Sequence, residues 1–165
     1  MDELPAMRDD IQDSIAAHQG TLEGLPNRSD YSERLKLWCQ PGFLDAYCYG
    51  IIANEQGGFI RRTLWNRMDT EPRKRPYKET AEEYISNEAI LELVTELSAI
   101  RMSPFKQEPF SFCDTADIGI IYQGANSRID LTWTGSVSKD WRKIEKWFDA
   151  TTFKLDQYFP DKRQD

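Results

Sequence analysis

A chain of 165 residues has the length of one domain and can bury a single sizeable core. Its 30% charged and 12% aromatic residues exclude a disordered chain, and its net charge of −7 argues against nucleic acid as a ligand. No apolar run approaches the roughly 18 residues of a membrane helix, and the first residues lack the pattern of a signal peptide. We therefore expect a single cytoplasmic domain over residues 1–165 that binds neither membrane nor nucleic acid.

The reactive side chains form no recognisable metal or cofactor motif, so we expect neither a metal nor a cofactor. The three cysteines, Cys39, Cys48 and Cys113, have no Cys-x-x-Cys spacing and are typical of buried free thiols. The only histidine, His18, falls at the end of the first predicted helix. An imidazole there more often complements the helix dipole than performs chemistry.

The first forty residues predict one helix and one ambiguous segment. Residues 5–19 place apolar side chains four positions apart, which is typical of an amphipathic helix, and Gly20 is a natural stop. Residues 31–39 fit a short helix, but the alternation of Leu35 and Leu37 also fits a strand.

The clearest strand signals form two hairpins. Residues 46–53 and 59–65 are rich in β-branched and aromatic residues and are separated by a glycine-containing turn. Residues 118–123 and 128–134 form the second hairpin, and polar and apolar residues alternate strictly along its second strand. We expect the four strands to share one antiparallel sheet.

Two further helices are predicted around the second hairpin. The basic segment 67–78 contains two prolines and predicts a loop, and Thr80 with Glu83 then forms a capping-box pattern that predicts a helix over 80–102. Apolar residues three or four positions apart predict the last helix over 138–159. The side chains expected in the core are Leu93, Leu97, Trp133, Trp141, Ile144 and Phe148.

Together these elements predict an α+β fold in the order α-ββ-α-ββ-α. We expect an antiparallel sheet, built from the two β-hairpins and covered on one face by the helices at 80–102 and 138–159. Residues 161–165 are predicted to be a charged tail.

Three glutamates in the middle helix suggest a binding surface. Glu88, Glu92 and Glu96 lie four residues apart, and like charges at that spacing destabilise an isolated helix by about 0.2–0.5 kcal/mol per pair. We interpret this acidic stripe as a docking face for a cationic protein. The alternatives are that the preceding basic loop neutralises it, or that it is merely a solvated helix face. The predicted partner-binding residues are Glu88, Glu92, Glu96, Glu108, Asp114 and Asp117.

Enzymatic interpretations depend on scattered residues. Carboxylates are abundant, but none lies in a glycine-rich phosphate loop or a metal-ligand motif, and Cys113 has no histidine nearby in sequence. Arg61 and Arg62 point to opposite sides of their strand, where an ion pair with an acid is a commoner role than an anion clamp. We expect no enzymatic activity, and a hydrolase or transferase that uses carboxylates and arginine remains the enzymatic alternative.

The order of these features resembles that of a known class of proteins. A Tyr49-Gly-Ile-Ile52 strand precedes an arginine-containing return strand, an acidic helix, and a hairpin that ends Leu131-Thr-Trp133 before a Trp-rich helix. Over about residues 46–159 this resembles small cytoplasmic immunity proteins of bacterial toxin systems. The resemblance implies a non-enzymatic protein that blocks the active site or substrate path of one cognate toxin. A phage or regulatory inhibitor, or an adaptor, would share this acidic, aromatic composition and stays an alternative.

Overall fold

The computed structural model of the protein describes residues 3–68, 75–103 and 116–160, with side chains from residue 9 onward. Its helices are α1 (Glu3–Ala16), α2 (Asn87–Ser98) and α3 (Arg142–Asp156). Its strands are β1 (Ser32–Gln40), β2 (Ala46–Asn54), β3 (Gly57–Trp65), β4 (Lys78–Ile85), β5 (Asp117–Gln123) and β6 (Arg128–Thr134). Short 3₁₀ turns lie at Gln19–Thr21 and Lys139–Trp141. In these ranges no helix is both long and apolar enough to cross a lipid bilayer.

The six strands form one antiparallel sheet in the order β4-β3-β2-β1-β5-β6. The two predicted hairpins are β2–β3 and β5–β6, and β1 lies between them because it pairs with both β2 and β5. The α+β class and the shared antiparallel sheet are therefore confirmed. The predicted element order, however, lacks β1 and β4.

Residues 31–39, which fitted either a helix or a strand, belong to strand β1. Leu35 and Leu37 face the core beneath α2 and α3, whereas Lys36 and Trp38 face α1, and all four side chains are buried. Because the strand is covered on both faces, the alternation of Leu35 and Leu37 with the polar Lys36 ends at the apolar Trp38. So short an alternation did not exclude a helix.

The predicted capping box at Thr80 and Glu83 is wrong, because both residues lie in β4 and pair with β3. Helix α2 begins only at Asn87. The side chain of Ser86 accepts a hydrogen bond from the backbone N–H of Ala89 at 3.2 Å and caps the helix there.

Helices cover both faces of the sheet. As predicted, α2 and α3 pack on one face, over the larger core, and α1 packs on the opposite face over a smaller one. All six side chains expected in the core are buried: Leu93, Leu97, Trp133, Trp141, Ile144 and Phe148. The ring of Trp133 contacts those of Trp141 and Phe148, at centroid distances of 6.3 and 5.7 Å.

The C-terminus of α1 is bound by a buried lysine of β1. Lys36 Nζ donates hydrogen bonds to the backbone carbonyls of Ile15 and Ala17 at 2.7 and 2.8 Å. A cation in this position satisfies the last free carbonyls of a helix and complements its dipole. His18, which was expected in that role, instead accepts a hydrogen bond from the Gly20 N–H through Nδ1 at 3.0 Å.

Candidate functional site

The acidic stripe of Glu88, Glu92 and Glu96 lies on the outer face of α2, exposed to solvent. The opposite side of the helix is anchored in the core by Ile90, Leu93 and Leu97. The carboxylates are therefore presented by an ordered element, and a partner that binds them has little backbone to order.

The stripe keeps most of its negative charge. Lys154 Nζ on α3 lies 3.1 Å from Glu96 Oε1, but this pair is about half exposed and contributes little to stability. Over the ranges that the structure describes, Glu88 and Glu92 have no ion-pair partner. Two adjacent carboxylates of the stripe are thus available to a cationic ligand.

Of the other predicted partner-binding residues, the structure describes only Asp117. Glu108 and Asp114 lie outside the described residues. Asp117 begins β5, and its Oδ1 accepts a hydrogen bond from Thr134 Oγ1 at 2.7 Å. Because Ile118 faces α2 and α3, the preceding Asp117 side chain points to the α1 side of the sheet. The structure therefore separates Asp117 from the stripe.

A groove of about 320 Å³ runs beside the stripe, between α2, the end of β2 and the β5–β6 turn. Its lining includes Ile90, Leu91, Val94, Tyr122, Arg34 and Glu55. Leu91 is 65% exposed and lies one turn after Glu88 on the helix surface, which places an apolar side chain beside the stripe. Sequence reasoning missed this residue, although a leucine outside the apolar periodicity of α2 is a detectable signal.

Arg61 is fully buried, and its guanidinium is held by protein acceptors. Its Nε lies 2.8 Å from Glu82 Oε2, and its two Nη atoms donate to the backbone carbonyls of Gln19 and Pro26. Glu82 also accepts a hydrogen bond from Arg28 Nη2 at 2.6 Å. Burial alone would raise the pKa of Glu82, but the hydrogen bonds from the two arginines outweigh it and lower that pKa. The ion-pair interpretation of Arg61 is confirmed.

Arg62 makes a second internal contact on the opposite face of the sheet. Its Nη1 lies 2.8 Å from Asp156 Oδ1, and its guanidinium carbon lies 4.3 Å from the ring centroid of Phe159. The Tyr49 hydroxyl donates to the same Asp156 oxygen at 2.9 Å. Burial, with this carboxylate beside it, raises the pKa of Tyr49 above its ordinary value. Arg62 therefore ties the end of α3 to the sheet.

The two described cysteines are free thiols, as predicted. Burial raises the pKa of Cys39 to about 11 and that of Cys48 to about 12, so both stay protonated at neutral pH. Cys113 lies outside the described residues. In the described part of the chain, no group of three or more His, Cys, Asp or Glu side chains is arranged to hold a metal ion.

A second exposed apolar surface lies at the other end of the sheet and consists of Phe43, Leu44 and Met68. Arg67 holds the turn beneath it by donating to the carbonyls of Pro41 and Gly42 at 2.7 and 2.8 Å. This apolar tip was not identified from the sequence, because loop exposure depends on which neighbours pack against it.

Among these features, the outer face of α2 combines accessible charge, an exposed apolar side chain and a neighbouring groove. This combination suits recognition of another protein, since charged groups steer association and buried apolar contacts retain the complex. No family model, curated protein or solved structure matches this chain.

Proposed function

We propose that this chain is a non-enzymatic cytoplasmic protein that neutralises a cognate bacterial toxin by occluding its active site or substrate path. The observation that supports the proposal is the outer face of α2. There Glu88 and Glu92 are exposed and have no ion-pair partner among the described residues, and the exposed Leu91 lies beside Glu88. The expected partner is a cationic toxin domain, with basic side chains around an apolar contact.

The two kinds of group have different effects on binding. Glu88 and Glu92 raise the association rate through complementary potential, and this effect weakens as the Debye length falls to about 8 Å near physiological salt. Leu91 is positioned to become buried in the complex, and full burial of a leucine contributes about 1.5–3 kcal/mol. The charges therefore set the speed of association, and the leucine slows dissociation.

The test first asks whether a neighbouring gene encodes a toxin domain, as an immunity role requires, and then uses that domain. In cells that express the active toxin, co-expression of this protein is expected to restore growth. An inactive toxin variant then serves for binding kinetics by biolayer interferometry over a series of salt concentrations. The double substitution Glu88→Lys with Glu92→Lys should slow association at low salt at least about tenfold. Cells that die despite expression of the folded protein would refute the proposed function.

The chain offers a matched control for the charge reversal. Asp9 and Asp13 are exposed on α1 with the same spacing, but on the opposite face of the sheet. Replacing both with Lys changes the net charge equally and should affect the association rate much less. Equal slowing by both double variants would show a nonspecific charge effect and exclude α2 as the binding face. Circular dichroism melting curves check that each variant is folded.

A further inference from the structure

Within the described part of the chain, β6 is an edge strand of the sheet. It pairs with β5 alone among the described strands, and Arg128, Ile129, Asp130 and Thr132 are exposed along it. Ile129 is 44% exposed even though it lies on the same side of the strand as the buried Trp133. An exposed edge with apolar residues is prone to pair with another strand.

The opposite edge of the sheet, β4, is more highly charged. The loop between α1 and β1 packs along β4, where Arg28 binds Glu82 at 2.6 Å and Thr80 Oγ1 lies 3.4 Å from the carbonyl oxygen of Glu23. β4 also carries Lys78, Glu79, Glu82 and Glu83, and charged side chains discourage edge pairing. The two edges of the sheet therefore differ, and β6 is the edge suited to a partner.

The hydrogen-bond pattern identifies the free backbone groups of β6. Gly135 N donates to Ala116 O at 3.0 Å and Gly124 N donates to Ser127 O at 2.8 Å, so hydrogen-bonded pairs close both ends of the β5–β6 ladder. Such pairs alternate along an antiparallel ladder. Ile129, Leu131 and Trp133 therefore bond to β5. The residues whose backbone N–H and C=O groups point away from β5 are Arg128, Asp130, Thr132 and Thr134.

We propose that β6 pairs with β6 of a second copy of this chain, antiparallel about a twofold axis at Leu131. In this register Arg128 lies opposite Thr134 of the other copy, and Asp130 lies opposite Thr132. Both residues of each pair have free backbone groups facing the partner, so the four symmetry-related pairs form about eight main-chain hydrogen bonds. The two six-stranded sheets become one continuous sheet.

The sequence of β6 is self-complementary in this register. On the side of α3, Leu131 meets Leu131 and Ile129 meets Trp133, so apolar residues face apolar residues. On the other side each charged residue lies opposite a threonine. Shifting one strand by two residues in one direction would place Asp130 opposite Asp130 of the other copy, so that like charges meet. Shifting it by two residues in the other direction would leave Arg128 and Ile129 without a partner in β6. The seven-residue strand therefore favours one symmetric register.

The test measures the dimerisation constant of the full chain by sedimentation equilibrium. The wild type should dimerise, and Leu131→Lys and Leu131→Glu should each weaken dimerisation at least about tenfold, because they place like charges opposite each other on the axis. An equal mixture of the two variants should restore dimers, since Lys and Glu then face each other. This rescue is specific to the register, because residue 131 meets itself only there.

Two variants serve as controls. Thr132→Lys adds a charge to the same strand but places it opposite Asp130 of the other copy, so dimers should persist. Asp130→Pro removes an outward N–H without breaking the β5–β6 ladder and should dissociate the dimer even if the Leu131 variants fail to fold. A monomeric wild type, persistent dimers of folded Asp130→Pro, or no rescue on mixing folded Leu131 variants would overturn the proposal.

Discussion

Replacing Glu82 by Gln removes the charge that neutralises the buried Arg61. The substitution preserves the shape of the side chain, and among the described residues Glu82 supplies the only carboxylate within 4 Å of the Arg61 guanidinium. The Arg61 side chain is inaccessible to solvent and Glu82 is 10% exposed. The variant therefore leaves a cation without its counter-ion in a low-dielectric environment.

The geometry of this network sets the expected cost. Breaking a buried ion pair by removing one partner costs about 3–5 kcal/mol. We expect about 3 kcal/mol, because Arg61 keeps its two carbonyl acceptors and Arg28, which is 25% exposed, remains accessible to water. Replacing Arg61 and Glu82 together by Leu should cost less than the sum of the two single changes, since no buried charge is left unpaired.

Urea denaturation at pH 7 and at pH 3 measures this effect. The folded pKa of Glu82 is lowered, so its stabilisation is complete above the ordinary Glu pKa of about 4.3 and is lost as the pH falls through the folded value. The difference in unfolding free energy between wild type and Glu82→Gln should therefore shrink at acidic pH. A loss at pH 7 below about 1 kcal/mol, typical of an exposed pair, would refute the reasoning.

Four further substitutions test the packing and the helix boundary. Trp133→Ala should lower the unfolding free energy by about 3–5 kcal/mol, and an unchanged melting temperature would contradict its burial between α3 and the sheet. Ser86→Ala should cost about 1 kcal/mol in urea denaturation, as expected for the N-cap of α2, whereas a larger loss in Thr80→Ala would support a helix start there. Gly119→Ala should cost about 1–3 kcal/mol, because a Cβ at that position overlaps the ring of Trp38, and a neutral effect would contradict this contact.

The hairpins and α3 were predictable because their signals are local. The alternation of residues 128–134 and the three-and-four spacing that places Trp141, Ile144 and Phe148 on one face each arise within a few neighbouring residues. Such patterns determine which side of an element is apolar before any tertiary contact forms. The predicted core followed from them.

The boundary between β4 and α2 was not predictable from local signals. Thr80 and Glu83 match a capping box, but β3 offers backbone pairing along the whole of β4, and the buried Arg61 requires the Glu82 carboxylate. These contacts join residues about twenty positions apart and override the local helix preference. The Lys36 side chain similarly reaches the last carbonyls of α1, a contact that no neighbouring residue indicates.

The candidate site was likewise predictable from the sequence only in part. The spacing of Glu88, Glu92 and Glu96 is enough to place them on one side of a helix, since 3.6 residues make one turn. Their exposure, the ion pair of Glu96 with α3 and the position of Leu91 beside a groove depend on how α2 packs on the sheet. Local spacing thus determines which side chains share a face, whereas exposure and partners depend on contacts between distant parts of the chain.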